Sequence, residues 1–268
     1  MHADVLRREL ADHQRAIAAW GIGAVLLTSL YILFYPTIHD SGAGIQAIFD
    51  TMPRAFRDAF LGTGVDFLSP NGYLGTELFS ILVPALMLVM GILTGSRALA
   101  GEEQNGTIDL LLATPIRRRR LVTEKAVGAQ LPLFVMAAFV WLAVALIGPS
   151  QGLSVNLGVL AIALIAVALL AAGFGMLAFL VAGATGSTAL GGGVAAALAV
   201  LMYVLNVFGS LVSSLTGFAN TVSPFHWVGG AGVLATGVAW PGMMALVVCP
   251  IVLLGVAIML YERRDLAA

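Results

Sequence analysis

The sequence predicts an all-α, polytopic membrane protein with six transmembrane helices, and three observations predict it. The chain is 60% hydrophobic and 10% charged, with a mean hydropathy of +0.99, where soluble domains carry roughly 25% charge. Its charges are also confined: every Asp, Glu, Lys and Arg lies in residues 1–125 or 262–268, leaving 136 residues from Ala126 to Tyr261 with none. Neither a solvated fold nor a disordered tail keeps so long an uncharged block in water. Finally, six segments reach the length of about 20 apolar residues that crosses about 30 Å of hydrocarbon.

The spans are expected at about 16–35, 73–98, 126–147, 156–181, 188–211 and 241–261, within a single domain covering 1–268. The first follows an Arg-containing stretch with no small-residue cleavage site, so it reads as a retained span and not a signal peptide. The fourth and fifth are separated only by the turn Gly183-Ala184-Thr185-Gly186-Ser187. The single cysteine, Cys249, permits no internal disulfide and reads as a small buried apolar residue of the sixth span. A net charge of −1 gives no reason to expect nucleic acid.

Orientation follows from Lys and Arg near the membrane. An even number of spans puts both termini on one side, with Arg7, Arg8, Arg15, Arg263 and Arg264, and the loop between spans two and three adds Arg97, Arg117 to Arg120 and Lys125. Eleven of the 13 cations therefore share one face, which is expected to be cytoplasmic, while the other has only Arg54 and Arg57 among Asp40, Asp50, Asp58 and Asp66.

Three amphipathic pieces lie outside the spans. Val5, Leu6, Leu10 and Ile17 oppose Arg7, Arg8, Glu9 and Asp12, which predicts a cytoplasmic interfacial helix at the N-terminus. Ile45, Ile48, Phe49, Met52, Phe56, Ala59 and Phe60 follow helical spacing, which predicts an amphipathic outer helix between spans one and two, bent or divided at Pro53. It either rests on the outer leaflet, caps the bundle or gates an exit. The third is the loop from Gly101 to Lys125, whose first half is expected to be helical, with Ile108, Leu111 and Leu112 on one side, and to stop before Pro115. A second helix is expected from around Arg117 into span three. The loop reads either as a solvated connection whose arginines set orientation or as a docking element for another protein.

Within this loop Glu102, Gly106, Thr107, Leu110, Leu111, Pro115, Arg118 and Lys125 form an E-x3-GT-x2-LL-x3-P-x2-R-x6-K arrangement. With SPNGYLGTELFSILVPALML before span two, SPFHW in the last outer loop and YERRDL near the C-terminus, the pattern resembles the permease subunits of ABC-type-two exporters along the whole chain. The resemblance implies a plasma-membrane permease, working with a second permease copy or a similar permease and with two copies of a separate ATPase subunit that carries ATP and Mg. It implies that a coupling loop comprising Glu102, Glu103, Gly106, Thr107, Leu110, Leu111, Pro115, Arg118 and Lys125 meets the ATPase. It implies also that the uncharged, Gly-rich segment Val212 to Trp240 dips into the membrane from outside. The Gly183 to Ser187 turn lacks the basic residue expected of many relatives. Physically, a stiff element joined to spans two and three would move them together; Gly106 permits close backbone approach or a tight bend, Thr107 can cap a helix, and Glu102 can pair with a cation of this chain or accept from a neighbouring helix terminus.

Catalytic patterns are missing. No G-x4-GK[ST] phosphate loop occurs, and Gly183 to Thr188 has glycines but no lysine. Glu102-Glu103 resembles the paired glutamates of intramembrane CAAX-type proteases, but position 107 is threonine where those need arginine. His2, His13, His39 and His226 are scattered, and Glu77 is the one acid near a span interior, read as interfacial or hydrogen-bonded. The chain is therefore expected to be no enzyme and to hold no cofactor or metal. A path lined by spans one, two and five, with Gly191, Gly192 and Gly193 letting helices approach, is expected. A membrane scaffold that recruits a partner through the Arg-rich loop, and a secondary carrier, are the competing readings; spans three to six contain none of the ionisable groups a proton-coupled carrier places at the midplane.

Overall fold

The computed structural model describes residues 4–53, 65–106 and 117–263, and among them the secondary structure is helical. Six helices are long and apolar enough to cross a membrane: α1, Asp4–Asp40; α3, Pro70–Arg97; α5, Arg118–Ile147; α6, Leu157–Thr185; α7, Thr188–Leu211; and α11, Trp240–Arg263. The short helices are α2, Gly42–Thr51; α4, Ala100–Gln104; α8, Ser213–Val222; α9, Pro224–Val228; and α10, Val233–Thr236.

Helix α1 runs unbroken for 37 residues, about 55 Å at 1.5 Å per residue. The expected interfacial helix is therefore continuous with the first span and no separate element. Nothing between Val5 and Tyr31 breaks it; Pro36 falls only in its final turns. At its far end Tyr35 stacks on Tyr73 at 5.2 Å, Tyr73 on Phe67 at 5.8 Å, and Phe67 on Phe49 of α2 at 5.1 Å. Helix α2 thus caps the bundle through Phe49 while Ile48 stays exposed, and it stops before Pro53. The Phe56, Ala59 and Phe60 part of the expected outer helix lies outside the described residues.

Helix α3 begins at Pro70, earlier than hydropathy suggests. Ser69 accepts a hydrogen bond from the Gly72 amide at 3.1 Å and Pro70 occupies the first turn, a capped start that carries little hydrophobicity. Residues Gly75–Leu82 are π-helical and contain Glu77. Helix α6 starts similarly, with Asn156 accepting from the amides of Gly158 and Val159.

The interior is built on a crossing of α3 and α6. A Cβ at Gly95 would lie 2.1 Å from the Gly175 carbonyl oxygen, and one at Gly91 would lie 2.9 Å from that of Ala171. This is the small-xxx-small approach on which membrane helices pack without a hydrophobic driving force between them. Gly191 makes a comparable approach to Ala182 across the α6–α7 turn, at 2.5 Å. Gly193 faces open space and Gly192 meets nothing closer than 3.7 Å, so only the first of the three expected glycines lets helices approach.

After α7 the chain turns back on itself. Ala219 of α8 packs into Gly209, Thr216 donates to the Gly209 carbonyl at 2.8 Å, and buried Ser223 donates to the Met202 carbonyl at 2.9 Å. Met202 lies nine residues before Leu211, about 14 Å along the helix, so residues 212–223 dip back beside α7 before α9 and α10 lead to α11. Burial lowers the proton affinity of His226 on α9 below the ordinary histidine range. Cys249, expected to be buried, is exposed on α11 because that helix packs against the bundle along a narrow face.

Candidate functional site

Of the residues expected in the coupling loop, Glu102, Glu103, Gly106, Arg118 and Lys125 are described, and they lie at the end of the bundle that holds α4. Lys125, in the second turn of α5, is 4% exposed and sits beside the apolar cluster of Ala98, Leu99, Val122 and Ala126. A buried ammonium needs a partner, and Glu102 of α4 supplies it, its Oε1 2.7 Å from Lys125 Nζ. The first and last residues of the sequence pattern thus meet across 23 positions. Glu103 adjoins Glu102 on the same short helix, and Arg118 forms the first turn of α5.

Gly106 ends α4. Its φ is +68°, its amide donates to the Glu103 carbonyl at 3.1 Å, and a Cβ there would meet nothing. The glycine is needed for left-handed backbone and not for space. Helix α4 covers only Ala100–Gln104, and the part of the expected helix that carries Ile108, Leu111 and Leu112 lies outside the described residues. Thr107, Leu110, Leu111 and Pro115 lie outside the described residues.

Two ties join this element to the rest of the bundle. Gln104 donates to the Gly186 carbonyl at 3.2 Å and accepts from the Thr188 hydroxyl at 3.0 Å, fixing α4 to the α6–α7 turn. Arg119 Nε lies 2.6 Å from Glu262 Oε1, joining the start of α5 to the end of α11, and Arg120 pairs with Glu124 one turn on. Residues from five of the six spans or their junctions are therefore linked at one end. Sequence reasoning missed Gln104, Thr188 and the Arg119–Glu262 pair, whose partners are 84 and 143 positions apart. Glu262 did fall within the YERRDL segment, and the short α6–α7 turn was the only hint that residue 188 lies at this end.

Among the described residues no three His, Cys, Asp or Glu side chains come together as metal ligands.

A family model described as ABC-2 family transporter protein matches residues 3–266. The chain belongs to the ABC-2 transporter family. No curated protein sequence matches it. As an ABC-2 permease it is a multi-pass membrane protein and a transport component, not itself a catalytic enzyme. The ABC-2 match covers α4 and the whole Glu102 to Lys125 loop, so the junction belongs to the family domain and is no appended element.

Proposed function

We propose that this ABC-2 permease is the membrane half of an ATP-driven exporter in the plasma membrane, with both termini cytoplasmic and a separate ATPase docked beneath the Glu102 to Lys125 loop. Two copies, or this chain and a similar permease, form the path from α1, α3 and α7, and two ATPase subunits carry the ATP and Mg. The carrying observation is the Glu102–Lys125 ion pair with the Gln104 tie. Force applied to α4 reaches α5 through a charge pair and the α6–α7 turn through two hydrogen bonds. A stiff link of this kind is what a nucleotide-driven rigid-body motion needs in order to move several helices at once. The direct Gln104 contact also brings the α6–α7 turn to the same docking surface despite its lack of a basic residue.

The exposed apolar faces of α1 and α7, with Leu26, Leu33, Val200 and Leu201 outward, suit a second permease copy. The uncharged block from Ala126 to Tyr261 suits amphipathic or hydrophobic cargo.

The test is co-purification followed by reconstitution. A phosphate-loop ATPase is expected to be retained by the wild-type chain in detergent, and its hydrolysis to be stimulated in vesicles. Glu102→Gln combined with Gln104→Ala is expected to abolish that stimulation while membrane insertion persists. Full stimulation by the double variant would remove the docking role, and failure to retain any ATPase would favour the scaffold reading.

A further inference from the structure

We propose that the open-sided cavity between α6, α7 and α11 is a binding site for one acyl chain of a bilayer lipid. Its volume is about 270 Å³, and its walls include Gly173 and Leu177 of α6, Leu198 and Met202 of α7, Cys249 of α11, and Trp227 of α9. No charged side chain lines it. An apolar cavity of about 150 Å³ stays dry and takes up benzene, so a larger one of the same chemistry takes hydrocarbon and not water.

Depth decides which hydrocarbon. The α11 residues on the wall fall between Leu246 and Leu253, inside a 24-residue span, so the cavity lies within the hydrophobic layer and not at its surface. Leu198 and Cys249 are exposed on the flank of the chain, which opens the cavity sideways to the layer where acyl chains are the medium. The residues that dip back beside α7 close its outer end. Ser223, held by the Met202 carbonyl, fixes Pro224 and Trp227 over the space. A void in this place forfeits the dispersion contacts of its lining, and a flexible hydrocarbon chain restores them.

Gly173 provides the room. A Cβ there would meet only Cys249 Sγ, at 3.9 Å, so unlike Gly91, Gly95 and Gly175 it faces a gap and not a neighbouring backbone. This cavity shares α7 with the path proposed above but lies on the side of that helix that faces α6 and α11, and its occupancy depends only on insertion in a bilayer.

The full chain is reconstituted in nanodiscs of phosphatidylcholine containing a fraction with a diazirine midway along one acyl chain, irradiated, and mapped by peptide mass spectrometry. Adducts within 173–177, 198–202 and 249–253 are expected to exceed those on the exposed Phe134 and Leu142 of α5 several-fold. Gly173→Leu, which fills the space from α6, and Leu198→Trp, which fills it from α7, are each expected to lower the cavity adducts several-fold and leave the α5 adducts unchanged. Should one variant fail to elute as a monodisperse species, the other decides, and the wild-type ratio stands without either. Equal labelling of cavity and α5 face, or labelling indifferent to the folded variants, overturns the proposal. So does a short cross-link from Cys249 to a second copy with no lipid adduct, which would give the space to a protein side chain.

Discussion

Helices α3, α5 and α6 bury 50, 44 and 56% of their most apolar window inside the chain, whereas α1, α7 and α11 bury 22, 17 and 11%. Hydropathy does not separate the two groups: the least buried helix, α11, has the highest mean hydropathy of the six, 2.8, and α6 has 2.7. In water such numbers would be a contradiction, since apolar surface drives burial. In a bilayer the lipid tails are as apolar as leucine, so hydropathy selects the spans without ranking them. What ranks them is close approach and polar linkage. The α3–α6 crossing is made by Gly91, Gly95, Ala171 and Gly175, and Lys125 on α5 is held by α4.

The largest expected effect breaks the inner group at its centre. A side chain at Gly95 would have to displace the α6 backbone, because its Cβ would fall 2.1 Å from a carbonyl oxygen. Overpacking a core costs typically 1–3 kcal/mol, about that or more where backbone must move. Gly95→Leu is therefore expected to lose the monodisperse species on size exclusion, or to lower Tm by many degrees. Gly193→Leu on α7 meets nothing within 4 Å and is expected to leave Tm nearly unchanged. Equal tolerance at the two sites would mean that the α3–α6 crossing is not what defines the inner group.

This contrast also shows how far the residues alone reach. Six spans, their order and the helical spacing around Phe49 were legible, because segment length and period-3.6 spacing are local properties of the chain, whereas which of its three possible places the outer helix takes was not. The pairing of Glu102 with Lys125 was legible only as a possibility for Glu102, since a buried cation announces a need for a partner without naming it. The inner and outer spans were not legible. Gly91-x3-Gly95 lies in an apolar run like any other, and Gly191 to Gly193 carry more glycine while only Gly191 sits where a side chain would clash with a neighbour. The start of α3 at Pro70 was hidden for a different reason, because a Ser cap and a proline signal a helix end with no hydrophobicity.

An intermediate effect is expected where the inner group meets the loop. Removing one member of a buried pair is costly because the other charge stays behind unpaired. The two members differ here: the Lys125 side chain is 6% exposed and that of Glu102 is 29% exposed. Glu102→Ala removes the carboxylate that lies 2.7 Å from the buried ammonium, whereas Lys125→Met leaves a carboxylate that water reaches and places an apolar chain beside Val122 and Ala126. Glu102→Ala is thus expected to destabilise the chain by about 3 kcal/mol, the lower end of the range for broken buried pairs, and Lys125→Met by less. Thermal unfolding in detergent checks the order. A Lys125→Met variant less stable than Glu102→Ala would show that the pair is solvated and that α4 is not anchored through it.

The smallest effect is expected at the outer group, where Arg119 reaches Glu262 across the start of α5 and the end of α11. Arg119 is 70% exposed, and an ion pair in that setting contributes about 0.2–1 kcal/mol and weakens as salt screens it. Arg119→Ala is expected to lower Tm slightly at low ionic strength and not measurably at high ionic strength. A salt-independent loss as large as that of Glu102→Ala would instead make the Arg119–Glu262 contact the anchor of α11. The low burial of that helix would then understate its attachment, and α11 would have to be moved from the outer group to the inner one.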